Sequence, residues 1–300
     1  MTIAHSSPLA LPDVLKKIQA LPSLPAVVLE LLASLDQEEV NLDLLARKIS
    51  LDQALTAKTL RLANSSFYGM QRQVTTISEA IAILGLQTVR NLATTAALVG
   101  SLGGDVADTF DFMAFWRHAI GTALCARSLA VQLGLNYEQA YIAGLLHDIG
   151  RLVLATQFTK PYAAAMAWRD AHQRSQDQQD DVASSMSDLR AEQAVLGLDH
   201  AAVGEALARH WKFPDPIRQA IAHHHASDAP AMSAMARVIH VADTLAHALE
   251  SPLRAGAVAM QIPTVPQAIE QQLGLTDAML LAVLQDADGQ FDGACSVLAK

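Results

Sequence analysis

Apolar side chains recur every three to four residues along most of the chain, the spacing that gathers them on one face of a helix. After Pro12, the positions Val14, Leu15 and Ile18 keep this spacing, with Asp13 near the helix start. The run LPSLP at 21–25 interrupts it, because proline begins helices and rarely continues them. The pattern then predicts helices over Ala26 to Leu35, Leu42 to Ile49 with Asn41 or Asp43 as cap, Leu51 to Ala63, Ile77 to Leu84 and Val89 to Val99. Asn64 to Ser66 with Gly69, and then Gly85, break the series. Gly100, Gly103 and Gly104 form the first clear linker.

The second block is more regular. Phe110 to Leu133 reads as one long helix ended by Gly134, and Glu138 to His147 as another, with Gly150 just beyond it. Leu152 to Trp168 continues helical, with a break expected near Pro161. Residues 170–187 are polar and glutamine-rich, and read as an exposed helix end or loop. Leu189 to Leu196, Ala201 to Trp211, Ile217 to His224 and Met232 to Leu249 follow, then 266–273 and 276–286. Alternating β-branched runs are nearly absent, so the expected fold class is all-α, without a repeat regular enough for a solenoid.

Composition narrows the function classes. Hydrophobic residues are 51% and charged residues 17%, which supplies a sizeable core and excludes wholesale disorder. The formal charge of −9 argues against a dedicated nucleic-acid binder, as does the lack of a Lys/Arg run with interleaved aromatics. Two cysteines, Cys125 and Cys295, make neither a disulfide framework nor a Cys-based zinc module, and suit a reducing compartment. No stretch reaches the roughly 18–20 apolar residues of a bilayer span, and MTIAHSSPLALP lacks the basic and apolar regions of a signal peptide. The expectation is a cytoplasmic protein with no membrane partner.

Histidine and aspartate carry the candidate chemistry. In AGLLHDIGR (143–151), His147 and Asp148 stand at the end of an apolar helix, where burying both is costly unless they are paired or bound to a cation. His118 lies on the long helix, His200 follows Leu198-Asp199, and His223, His224 and His225 form a run. Asp243 lies one turn after His240. Several histidines with two aspartates suit Fe, Mn or Zn. Each also has a plainer reading. His118 can be a core histidine bonded to a carbonyl, and His200 a helix-start residue capped by Asp199. The triple histidine can be a solvated helix end, and Asp243 can pair with Arg237 or His247.

Taken in order, several segments resemble the HDOD domain, a divergent relative of the HD and HD-GYP metal-dependent phosphohydrolases. They are LPSLPAVV (21–28), ISLDQALTAKTLRLANSSFYG (49–69), ISEAIAILGLQTVRNL (77–92), FWRHAIGTALCARSLA (115–130), AGLLHDIGRLVL (143–154), LGLDHAAVGEALARHW (196–211) and AIAHHH (220–225). The resemblance covers about residues 15–250, with Asp52-Gln53 where the family typically has Asp-Pro. It implies a multi-helix bundle organised as an N-terminal helical subdomain (1–104), an HD-like bundle (105–250) and a C-terminal helical extension (251–300).

The resemblance also implies a signalling or regulatory role, usually in bacteria. Many HDOD domains have lost the HD ligands and are regarded as noncatalytic, whereas this chain keeps a nearly complete set. Matched in order, His118 is the first ligand, His147 and Asp148 the HD pair with Asp148 bridging, then His200, His224, His225 and Asp243. The implied cofactor is one or two divalent ions, Fe or Mn ahead of Zn or Mg. Departures are also present. Ala114 replaces a glutamate of some HD-GYP relatives, Arg151 replaces their lysine, and no Gly-Tyr-Pro follows. Arginine holds a phosphate well but donates a proton poorly, and the three departures together argue against cyclic di-GMP hydrolysis while leaving other phosphoesters open.

Two readings follow. One is a regulatory module acting through signalling partners or a nucleotide or phosphoester ligand, with 170–187 and Asn64 to Tyr68 as candidate interaction regions and a helix C-cap as the plainer role for Asn64. The other is a metal-dependent phosphohydrolase acting on a phosphoester or nucleotide, with Asp148 and Arg151 as catalytic residues.

Overall fold

The computed structural model describes residues 8–21, 24, 26–33, 42–64, 73–101, 107–173, 182–226, 232–250 and 262–295. Among these residues every regular element is a helix. The N-terminal six are α1 (Leu11–Gln19), α2 (Ala26–Ala33), α3 (Leu42–Leu51), α4 (Gln53–Ala63), α5 (Ile77–Leu84) and α6 (Leu86–Ser101). The central set is α7 (Phe112–Gln132), α8 (Tyr137–Leu146), α9 (Ile149–Gln157), α10 (Thr159–Gln173) and α11 (Val182–Leu196). It continues with α12 (His200–His210), α13 (Asp215–His223) and α14 (Ala234–Glu250), and α15 (Gln267–Leu273) and α16 (Asp277–Cys295) complete the order.

The long α7 is the hub, packed against α8, α14 and α16. It is apolar nearly all round, with Trp116, Ile120, Ala123, Cys125 and Leu129 fully buried, as a helix enclosed by other helices must be. Asp111 caps it by accepting from the Ala114 amide at 2.9 Å. Around this core α9 packs on α12, α12 on α13 and α13 on both α8 and α14. Among the described residues the N-terminal helices rest on the bundle through α6 against α8 and α1 against α12. The first contact is polar. Buried Arg90 pairs with Glu138, and Thr95 Oγ1 lies 3.2 Å from Tyr141 Oη.

Several expected boundaries move for physical reasons. The break expected near Pro161 falls at Phe158, because Pro161 is the third residue of α10, where a helical amide has no carbonyl to bond. The polar 170–187 segment is helical at both ends, through Gln173 and from Val182, and residues 174–181 lie outside the described residues. α6 runs through Gly100, while 102–104 of the expected linker, together with Asn41, lie outside them. Asn64 fulfils its plainer role. Its Nδ2 donates to the Leu60 and Val74 carbonyls, each at 2.8 Å, and its Oδ1 accepts from the Val74 amide at 2.7 Å. Residues 65–68 of the neighbouring candidate surface lie outside the described residues.

The crossing of α9 over α12 depends on Gly150. A Cβ there would overlap the His200 carbonyl oxygen and lie 2.7 Å from the Gly204 amide nitrogen. Those are backbone atoms of a helix and cannot rotate away. Gly150→Ala is therefore expected to destabilise the protein by about 3 kcal/mol or more. Gly289→Ala, on the exposed side of α16 with nothing within 4 Å, should instead stabilise it by up to about 1 kcal/mol. Paired thermal or denaturant melts check both, and equal stability of the two variants would contradict the proposed crossing.

Candidate metal centre

Helix ends converge on one buried point. α8 stops at Leu146, and the turn that follows carries His147 and Asp148 before α9 begins. α12 starts at His200, α13 ends just before His224 and His225, and α7 and α14 bring His118 and Asp243 from their sides. His118, His147, Asp148, His200, His224 and Asp243 are all buried, and His225 is partly buried.

Three of the imidazoles, His147, His200 and His224, are held through Nδ1. His147 Nδ1 donates to the Gly144 carbonyl at 2.7 Å, and His224 Nδ1 donates to the Ile221 carbonyl at 2.8 Å. His200 Nδ1 lies 2.6 Å from Glu192 Oε2, which also accepts the His200 amide at 2.8 Å. Because a carbonyl only accepts, these contacts put the proton on Nδ1 of His147 and His224 and leave Nε2 with its lone pair. Those lone pairs point inward. His147 Nε2 and His224 Nε2 are buried without a hydrogen-bond partner, as is Asp148 Oδ1.

The Asp148 carboxylate sits between two groups. Its Oδ1 lies 3.2 Å from His200 Nε2 and 3.4 Å from His224 Nε2. Its Oδ2 lies 3.7 Å from His147 Nε2. Asp243 Oδ1 lies 3.0 Å from His118 Nε2 and 3.8 Å from His147 Nε2. His200 Nε2 and His225 Nε2 face each other at 2.8 Å, where two lone pairs would repel without a proton or cation between them. Atoms roughly 3 Å apart are what two ligands at about 2.1 Å from a shared ion present. The orphaned Nε2 atoms, the mixed N/O donor set and this spacing fit a divalent cation.

Electrostatics agree. Burial holds the His147 pKa down at about 4, so its imidazole is neutral, as a ligand must be. Burial alone would raise the Asp148 and Asp243 carboxyls, but the surrounding imidazoles, and Arg151 at Asp148, hold both well below the usual range. Burial opposes charge on His118, yet Asp243 and Glu250 lift its pKa to about 10. In the same way Glu192 and Asp148 raise that of His200 well above its ordinary value.

All seven residues named from the sequence as ligands are thus brought together, with Asp199 also capping α12 through the Ala202 amide at 2.9 Å. Arg151, expected as a catalytic cation, has its amino groups 3.0 Å from Asp148 Oδ2 and 2.7 Å from Asp188 Oδ2, so it clamps the central carboxylate. His240 bonds the His224 carbonyl at 2.6 Å and so braces the His224–His225 turn. Three contributors escape the sequence reading, Asp188, Glu192 and Glu250, while His247 enters it only as a pairing partner of Asp243. Asp188 and Glu192 sit one turn apart on α11, a spacing visible in the sequence, but their burial is not.

Asp188 holds Arg169 at 2.7 Å as well as Arg151, and is itself 4% exposed. Asp188→Ala would remove one carboxylate from each of two partly buried guanidinium groups, Arg151 keeping Asp148 and Arg169 keeping Asp170, and is expected to cost about 1.5–3 kcal/mol. Denaturant unfolding measures this. A change below about 0.5 kcal/mol, the usual size of a surface substitution, would contradict the network.

Comparison with known proteins places this geometry in a family. The HDOD domain model matches residues 21–227. An HDOD domain protein of unknown function from Geobacter sulfurreducens has 25% identity and a TM-score of 0.71, covering 97% of this chain and 99% of that one. A Shewanella amazonensis protein assigned provisionally as a phosphohydrolase has 26% identity and a TM-score of 0.71, with 99% and 100% covered. An uncharacterised protein of Treponema pallidum is 31% identical over 214 residues, 70% of this chain and 38% of that protein. Ribonuclease Y of Lactobacillus acidophilus is 25% identical over 191 residues, 61% of this chain and 28% of that protein. The chain therefore spans well under half the length of the curated relatives it matches. Matched by the HDOD domain model over more than two thirds of its length, and helical in every regular element among the described residues, the chain belongs to the HDOD domain family.

Proposed function

We propose that the protein is a bacterial, cytoplasmic signalling module that binds partner proteins or a small nucleotide or phosphoester ligand, and that its His/Asp cluster holds one or two divalent ions. The observation that carries this reading is the set of inward-facing, unpartnered Nε2 atoms gathered around the Asp148 carboxylate. His118, His147, Asp148 and Asp243 would hold one ion, and Asp148, His200, His224 and His225 the other. Among the described residues no helix is long and apolar enough to cross a membrane.

A phosphohydrolase is the second reading, favoured by the completeness of the ligand set. A bound ion would supply Lewis acidity and lower the pKa of a coordinated water. The residues here do other work. Arg151 fixes the orientation of Asp148, Glu192 fixes that of His200, and the Gly144 and Ile221 carbonyls set the tautomers of His147 and His224. With both amino groups of Arg151 engaged by carboxylates, the geometry supports ion retention more directly than charge neutralisation on a reacting phosphate. Fe or Mn suits the mixed imidazole and carboxylate donors.

Elemental mass spectrometry on protein purified without a histidine tag tests the reading. About one to two Fe or Mn per chain are expected, with loss in Asp148→Ala and an affinity about 10–100-fold weaker in Glu192→Ala. No uptake after reconstitution with Fe(II) and Mn(II) would overturn the metal assignment. Turnover of phosphoesters by the loaded protein, abolished in Asp148→Ala, would replace the regulatory reading with the hydrolytic one.

A further inference from the structure

His247 lies outside the ligand order carried by the sequence, yet it faces the same carboxylate. Its Nε2 is 3.9 Å from Asp243 Oδ1 and is buried without a hydrogen-bond partner. His118 Nε2 and His147 Nε2 stand 3.0 and 3.8 Å from that oxygen, so three imidazole nitrogens surround one carboxylate oxygen. The His247 ring stacks on His118, with centroids 4.8 Å apart and planes 29° apart. The chosen donor atoms of His118, Asp243 and His247 all lie within 4.8 Å of one another.

The far side of this pair follows the pattern seen elsewhere in the cluster. Glu250 Oε1 is 3.4 Å from His118 Nδ1, and Glu250 Oε2 is 3.7 Å from His247 Nδ1. One carboxylate therefore faces both Nδ1 positions and turns both Nε2 atoms toward Asp243. Glu192 does the same for His200. Asp243, His247 and Glu250 fall at i, i+4 and i+7 on α14, the spacing that lines one helix face.

We propose that His247 is a further ligand of the ion on the Asp243 side, positioned by Glu250, and that it fills a coordination place that a hydrolase keeps open for water or substrate. The inference rests on the metal reading above. With His118, His147, Asp148 and Asp243 it would raise the protein donors at that ion from four to five, so that fewer places remain for exchangeable water or substrate. Catalytic metal sites keep an exchangeable position, whereas structural ones are closed by protein ligands. The extra nitrogen thus gives a physical reason for retaining an ion while turning over little or no substrate.

Co(II)-loaded full-length protein provides the test. In His247→Ala the ion on the Asp243 side is expected to bind at least about tenfold more weakly, the other ion being unchanged. Its visible Co(II) absorption should change as a nitrogen ligand is lost, and free imidazole should restore the original spectrum by entering the vacated place. Inorganic phosphate should perturb the variant's spectrum more strongly than the wild type's. Glu250→Gln should weaken the same ion and no other. Unchanged affinity and spectrum in His247→Ala, with Asp148→Ala still losing metal, would overturn the role of His247 alone. Failure of the wild type to take up Co(II), Mn(II) or Fe(II) would overturn the metal reading and this inference with it.

Discussion

A carboxylate buried among helices is the constraint on which the rest of the centre depends. Asp148 is 5% exposed, and an isolated ion in such a place carries a desolvation penalty of several kcal/mol. Compensation must come from groups that reach it without water. Arg151 supplies a full charge from the next turn, and the imidazoles of His147, His200 and His224 supply nitrogens from three separate elements. Side chains in the middle of parallel helices would struggle to meet in this way. Here helix ends meet instead, because the turns at 147–148 and 224–225 and the start of α12 all open toward the same point.

The demand then passes outward. Histidines that face a cation need their other nitrogen occupied, and two carbonyls and Glu192 do this. Arg151 needs a second carboxylate to hold it, which Asp188 provides while also receiving Arg169. α11 therefore has a structural task unlike that of its neighbours. It carries two buried carboxylates on one face and supports the centre from behind, while contributing no inward-facing ligand. Close packing of α9 on α12, permitted by Gly150, brings Asp148 and His200 within reach of each other.

Much of this was legible in the order of residues. Helical spacing located nearly all the described elements, since apolar positions such as Ile77, Ile81 and Leu84 leave little freedom of assignment. The residues of the cluster were named through resemblance, from the succession His118 to Asp243, and their convergence cannot be read from spacing. What escaped was local and three-dimensional. Pro161 looked like a break because proline usually marks one, but a first helical turn tolerates it. Arg151 looked available because its partner Asp188 lies 37 residues away on another helix. His247 was read only as a pairing partner of Asp243, alongside Arg237, since nothing in a helical repeat shows which nitrogen of a ring is buried.

The contact of α6 with α8 has a mechanical consequence. Glu138 and Tyr141, which meet Arg90 and Thr95, lie on the helix whose other end hands the chain to His147 and Asp148. Ten residues of helix form a stiff rod about 15 Å long. Leverage applied at its first turns would be felt at the carboxylate, and tightening around an ion would be felt in return by the N-terminal helices. The two halves of the chain thus share a girder, and strain at either end has a direct route to the other.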